Sequence, residues 1–343
     1  MLPDMDGQFW MVALPAIVGG SAVATGGLIV ALRPTLARYA LARPNARSSH
    51  RIPTPQGAGI AIVLILSLAT LLVWAVRPGL APLSVLATVL GAAGLLGVVG
   101  AADDIVTLRA MPRLVCQIAA AAGVVLTLPA AFRVLPWLPY EAERLVLILA
   151  IVWFVNLVNF MDGIDWITVA EVIPVCLGIA VLGILGCAPS ITVVISLGLG
   201  GAMLGFAPFN RPVAKLFLGD VGSLPIGLIL GWLLVIVAGS GNLVAAILLP
   251  LYYLADATIT LVRRLAKGER VWEAHRSHFY QRATDHGFRV IEIVARIFCV
   301  NLALVVLSIA SAVSSSTLVS VASLVCGAGL VLSLLVTFQG KRR

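Results

Sequence analysis

Three short stretches of this chain hold carboxylates where carboxylates are costly: AADDIVTLR with Asp103 and Asp104, NFMDGIDW with Asp162 and Asp165, and LFLGDVGS with Asp220. Each lies at the end of a long apolar run. If the three ends meet at one membrane surface they gather oxygen-only ligands, which suit a hard cation and above all magnesium, an ion that binds one or two carboxylates together with substrate phosphates. Taken singly, each Asp is as readily a helix cap or a boundary marker. Taken together, a shared site is the better account.

The middle stretch is the most informative. In Asn156-Leu157-Val158-Asn159-Phe160-Met161-Asp162-Gly163-Ile164-Asp165, four polar side chains recur every third residue at the end of an apolar helix. That spacing keeps them on a slowly turning face directed at a shared interior. Polar groups at such depth are expensive and mark a substrate path. Gly163 predicts a tight turn at the helix end. The long loop 263–289 holds His275, His278 and His286 with seven basic residues. His275 and His278, three apart, face one site if helical and donate to phosphate or sugar, with Arg276 between them. The other charges of that loop suit anionic lipid headgroups. His50, in RSSHR, is a further candidate, the plainer reading being a solvated loop residue. Asp256 is expected to be buried beside a polar neighbour and receives no catalytic role.

The elements that must position these residues follow from composition. The chain has 343 residues, 61% hydrophobic and 11% charged, against about 25% charged in soluble domains. An ordinary soluble protein is excluded, and clustered charge between apolar runs argues against nucleic-acid binding. Apolar runs place eleven spans at 9–31, 58–76, 83–102, 113–130, 145–160, 167–186, 190–207, 222–238, 243–262, 290–312 and 316–337. The expected fold is therefore an all-α, polytopic integral membrane domain over 1–343. With the N-terminus outside, the segments 33–57, 103–113, 160–166, 208–221, 263–289 and 338–343 share one face and hold nineteen of the 23 Lys and Arg residues. The positive-inside rule makes that face, and the C-terminus, cytoplasmic. The N-terminal run lacks the basic region of a cleaved signal and reads as a retained span. The five cysteines show no C-x-x-C spacing, so neither a disulfide framework nor a zinc site is indicated. Glycines 91, 94, 97 and 100 of the third span suit a buried, closely packed helix.

RSSHRIPTPQGAG (47–59), the Asp103-Asp104 pair, NLVNFMDGID (156–165), FNRPVAKLFLGDVGS (209–223) and HRSHFYQ (275–281), in this order and on one face, resemble the polyprenyl-phosphate N-acetylhexosamine-1-phosphate transferase superfamily. The likeness covers nearly the whole chain. It implies a glycosyl-1-phosphate transferase of the bacterial cytoplasmic membrane that moves a sugar-1-phosphate from a UDP-amino sugar to undecaprenyl phosphate, releasing UMP. The branch most alike in appearance starts O-antigen and related polysaccharides; homodimers occur among its members. Two anions must meet in such a reaction, so positioning and charge neutralisation dominate. Magnesium, or manganese in its place, would neutralise the leaving UMP, and Arg suits bidentate phosphate contact.

The resemblance implies roles by motif position. Asp220 is a metal ligand. Asp103 is the base or lipid-phosphate-orienting residue and shares the metal, with Asp104 beside it. Direct attack and an aspartyl intermediate both remain open. Asn159 and Asp162 match positions near the diphosphate and metal, and Asp165, Asn210 and Phe217 match positions that hold uridine, although an aromatic in an apolar run is more often packing. Trp166 stands where a second Gly normally follows the DGxD core, and HRSHFYQ has fewer His residues than better-known branches. These departures argue against the phospho-muramoyl-pentapeptide branch. They leave two expectations for Trp166: it shapes the pocket toward a 6-deoxy amino sugar, or it anchors in the lipid interface. The rival reading is a secondary transporter or flippase, which would set its polar groups near the bilayer midplane rather than at one face.

Overall fold

A computed structural model describes residues 7–42, 53–106, 108–269, 275–314 and 316–340. It is almost wholly helical, as expected. Helices α1 (Gly7–Tyr39), α2 (Gly59–Val76), α3 (Leu83–Val106), α4 (Ala110–Leu126), α5 (Tyr140–Met161), α6 (Ile167–Ile184) and α7 (Ser190–Asn210) form the first part of the bundle. They are followed by α8 (Asp220–Val237), α9 (Leu243–Leu248), α10 (Leu251–Ala266), the short α11 (Phe279–Asp285), α12 (Val290–Val313) and α13 (Thr317–Gln339). The one strand pairing among the described residues joins β1 (Leu41–Ala42) to β2 (Thr54–Pro55).

Nine helical stretches among the described residues are long and apolar enough to cross a bilayer. The two expected spans that differ are 113–130 and 243–262. The first is α4, whose 17 residues are short for a span. The second is α9 and α10, broken before Leu251 because Pro250 offers no N–H and its ring crowds the preceding turn. α9 is reached from α8 through a π-turn, Ala238–Asn242, where Gly241 adopts φ 90°.

At the centre stands α8. Every residue from Val221 to Val237 is buried, as suits a helix that is apolar all round. α3 and α5 pack on it, α7 packs on α1 and α6, and α12 packs on α6 and α13. Two glycines permit the closest approaches: a Cβ on Gly100 of α3 would lie 2.2 Å from the Asp220 carbonyl, and one on Gly59 of α2 would lie 2.1 Å from Gly222 Cα. The first turn of α8, which carries Asp220, is thereby gripped on two sides. Of the other third-span glycines, Gly91 and Gly94 face open space. At the far end of the bundle the α4–α5 connection is closed by Glu143, which is wholly buried and accepts from the N–H groups of Val134 and Leu135 and from Arg133.

Candidate active site

The end of α3 and the starts of α4 and α8 converge on one guanidinium. Arg113, in the first turn of α4, pairs with Asp103 Oδ2, lies 3.2 Å from Asp220 Oδ2 and donates to Asn159 Oδ1 at 3.4 Å. Asn159 closes the ring by donating to Asp220 Oδ1 at 2.7 Å and Ser223 Oγ at 2.9 Å. Asp103 is further fixed by the Leu108 N–H at 2.5 Å. Arg113 was not among the residues singled out from sequence. The signal was there: an Arg ten residues after an acid pair, across a connection too short to carry it away. Further along the polar face of α5, Asn156 donates to buried Gln117 at 2.7 Å and ties α5 to α4.

Asp104 is turned differently from its neighbour. Its two oxygens accept from the N–H groups of Asp220 (3.0 Å) and Val221 (3.2 Å), so it caps α8 from another helix, where a carboxylate opposes the positive helix end. A Cβ on Gly219, at φ 77°, would strike that carboxylate. The expected catalytic pair is therefore one residue facing the cluster and one building it. Gln56 donates to the Asp104 carbonyl, and the Gly57 and Ala58 N–H groups both donate to the Phe217 carbonyl at 3.1 Å. The Phe217 ring is half-buried on this loop. His50 lies outside the described residues.

The Asp162–Asp165 turn is built by its own motif and the next. Asp162 accepts from Thr168 Oγ1 at 2.5 Å, and burial pushes its carboxyl up to about 6, the Thr168 bond opposing and the Asp104 charge adding. Asp165 is buried and accepts from the Ala214 N–H at 3.0 Å. Asn210 accepts from the Trp166 N–H at 2.8 Å and donates to the Leu216 carbonyl at 3.1 Å, so both ends of its amide are engaged within the protein. Of the residues matched to uridine, Asp165 and Asn210 also brace the turn.

The left-handed backbone of this turn belongs to Trp166, at φ 63°, ψ −1°. Gly163 is needed for a close approach instead: a Cβ there would lie 2.1 Å from the Tyr280 hydroxyl. The Trp166 indole is partly buried. Its N–H donates to the Ala207 carbonyl at 2.6 Å, and the ring packs on the core beside α7.

The fifth motif rests on the third. Tyr280 donates to the Phe160 carbonyl at 3.2 Å, directly beside Gly163, and burial raises its phenol well above the ordinary value. His278 is buried, with its ring 4.8 Å from that of His275. His275 shares a 2.8 Å hydrogen bond with Ser277 Oγ. Arg276, ahead of α11, turns toward that helix, donating to Thr284 and Asp285 at 3.4 Å. The described parts of all five motifs thus form one connected surface at one end of the bundle.

No three His, Cys, Asp or Glu side chains among the described residues are grouped closely enough to cage a metal alone. The donor set instead fits a half-open magnesium site. Asp103 and Asp220 already share one cation, Arg113, and Asn159 adds a neutral oxygen, while waters and phosphates complete such a site.

Residues 85–238, from the start of α3 through α8, match the family model described as glycosyl transferase family 4. The decaprenyl-phosphate N-acetylglucosaminephosphotransferase of Mycolicibacterium smegmatis is 30% identical over 289 residues, covering 72% of this chain and 69% of that protein. The chain belongs to the polyprenyl-phosphate N-acetylhexosamine-1-phosphate transferase superfamily. The equivalent protein of Mycobacterium leprae is 29% identical over 76% of this chain and 73% of its own length. The phospho-N-acetylmuramoyl-pentapeptide-transferase of Chlamydia muridarum matches more locally, 38% over 97 residues, 28% of this chain and 29% of that protein. Membership makes this multi-pass protein a phosphosugar transferase.

Proposed function

We propose that the protein transfers an N-acetylhexosamine-1-phosphate, from N-acetylglucosamine or a 6-deoxy amino sugar, from its UDP carrier to undecaprenyl phosphate at the cytoplasmic face of a bacterial inner membrane. This would start an O-antigen or related surface polysaccharide. A lipid phosphate oxygen attacks the sugar-linked phosphorus, the bond from that phosphorus to the bridging oxygen of UMP breaks, and UMP leaves with the bridging oxygen. The observation that carries this reading is the Asp103–Arg113–Asp220–Asn159 ring, where acid and base lie side by side at helix ends. Bound magnesium, held by Asp220 and Asp103, would supply charge neutralisation on the diphosphate. Arg113 would then be released toward the lipid phosphate, a contact its forked geometry suits. Asp104 keeps Asp220 in place at the α8 start, and Asn159 orients its carboxylate. A transporter site near the midplane has less support, because these groups gather at one end of the bundle.

The test is UMP release by the purified protein from a panel of UDP-amino sugars, with undecaprenyl or decaprenyl phosphate and with magnesium present or chelated. Release requiring both lipid and metal is expected. Turnover without lipid acceptor, or none with any sugar of the panel, would refute the reading.

A further inference from the structure

Asp256, in α10, is wholly buried, and five polar groups converge on it. Its Oδ1 accepts from the Phe279 N–H at 3.0 Å and Thr260 Oγ1 at 3.3 Å and lies 3.1 Å from His278 Nδ1. Its Oδ2 accepts from Tyr252 at 3.2 Å and the Tyr280 N–H at 3.3 Å. Three of the five groups are on consecutive residues of the fifth motif. A buried acid needs partners, but helix neighbours would satisfy that need without reaching 22 residues ahead. A carboxylate on Nδ1 holds a neutral imidazole as the Nδ1–H tautomer and leaves the lone pair on Nε2. The same carboxylate fixes the backbone of Tyr280, whose ring stacks on His278 at 5.7 Å and whose hydroxyl rests against the Asp162–Asp165 turn.

We propose that Asp256 is a positioning residue: it sets the tautomer and orientation of His278 and, through the Phe279 and Tyr280 backbone, seats Tyr280 on the Asp162–Asp165 turn. The kinetic part of this inference rests on the transfer reaction proposed above, and the tautomer part stands without it.

The test uses the full chain in detergent micelles with nitrogen-15 histidine, the His278 signal being assigned by its loss in His278→Gln. A proton on Nδ1 of His278 is expected, whereas a ring protonated on Nε2 alone overturns the proposal. In UMP-release assays Asp256→Asn should lower kcat by about tenfold to a hundredfold, with a much smaller change in KM for the UDP-sugar. In a His278→Gln background the same substitution should cost less than about threefold more, since residues acting as a unit are not additive. Fully multiplicative losses would overturn the coupling. If Asp256→Asn does not fold, the nitrogen measurement on the unmodified protein decides. If the unmodified protein releases no UMP, the transfer reading fails while the tautomer result still judges Asp256.

Discussion

Asp220 faces Arg113 and Asn159 from the first turn of a helix whose N–H groups Asp104 already occupies, so its carboxylate can change without the helix start losing its cap. Asp220→Asn is therefore expected to fold, with an unchanged melting temperature in detergent, and to lose at least about a hundredfold in kcat, the scale of removing one preorganised charge contact from a transition state. Near-normal UMP release at ordinary magnesium would remove Asp220 from the metal site. Asp162 gives a pH test. Its carboxyl is raised from 3.8 to about 6, so the folded state holds the proton more tightly than the unfolded chain. The stability it contributes is complete below about pH 4 and is lost as pH rises through 6, by about 3 kcal/mol. Melting in EDTA, where no cation competes for the carboxylate, should show Asp162→Asn gaining on the parent between pH 4 and 7. A gain of equal size at both pH values would reject burial of the charge as the cause.

At the scale of elements, the Asp162–Asp165 turn is a junction between α5, α6, α7 and the fifth motif. Gly163 is its narrowest point, because the Tyr280 hydroxyl occupies the space a Cβ would need. Gly163→Ala should destabilise the protein by about 1–3 kcal/mol, the usual cost of overpacking, and Tyr280→Phe should recover part of that loss by removing the oxygen nearest the new methyl. Paired thermal melts would reveal it; no recovery would mean the backbone, not the contact, requires glycine. Trp166 holds the left-handed position that glycine would take without strain. Its two N–H bonds to α7 residues are the visible compensation.

At the scale of the molecule, the site end of the bundle is the end where sequence places the basic residues. Single cysteines introduced near Ser277 should label only from the cytoplasmic side, and those near Tyr140 only from outside. Labelling of both from the same side would refute the orientation. The arrangement also has an energetic logic. α8 is buried within the protein from Val221 to Val237, and it is this packed helix that delivers Asp220. The Asp220 carboxylate is thus presented from the end of a fully packed element.

Sequence alone determined the class, nine of the eleven expected spans and the set of motifs, because bilayer thickness forces long apolar runs and charge is expensive between them. It also placed Asp103, Asn159 and Asp220 at helix ends on one face. It did not reveal how side chains at those ends divide the labour. Adjacent Asp103 and Asp104 look equivalent in a string, but successive residues on a helix point about 100° apart, and only the packed position of α8 decides which one meets Arg113 and which one caps. Arg113 itself, the Gly163 contact and the three fifth-motif contacts of Asp256 join residues from 10 to 117 positions apart. Such pairings depend on where helices cross, and crossing is fixed by tertiary packing rather than by any local pattern of residues.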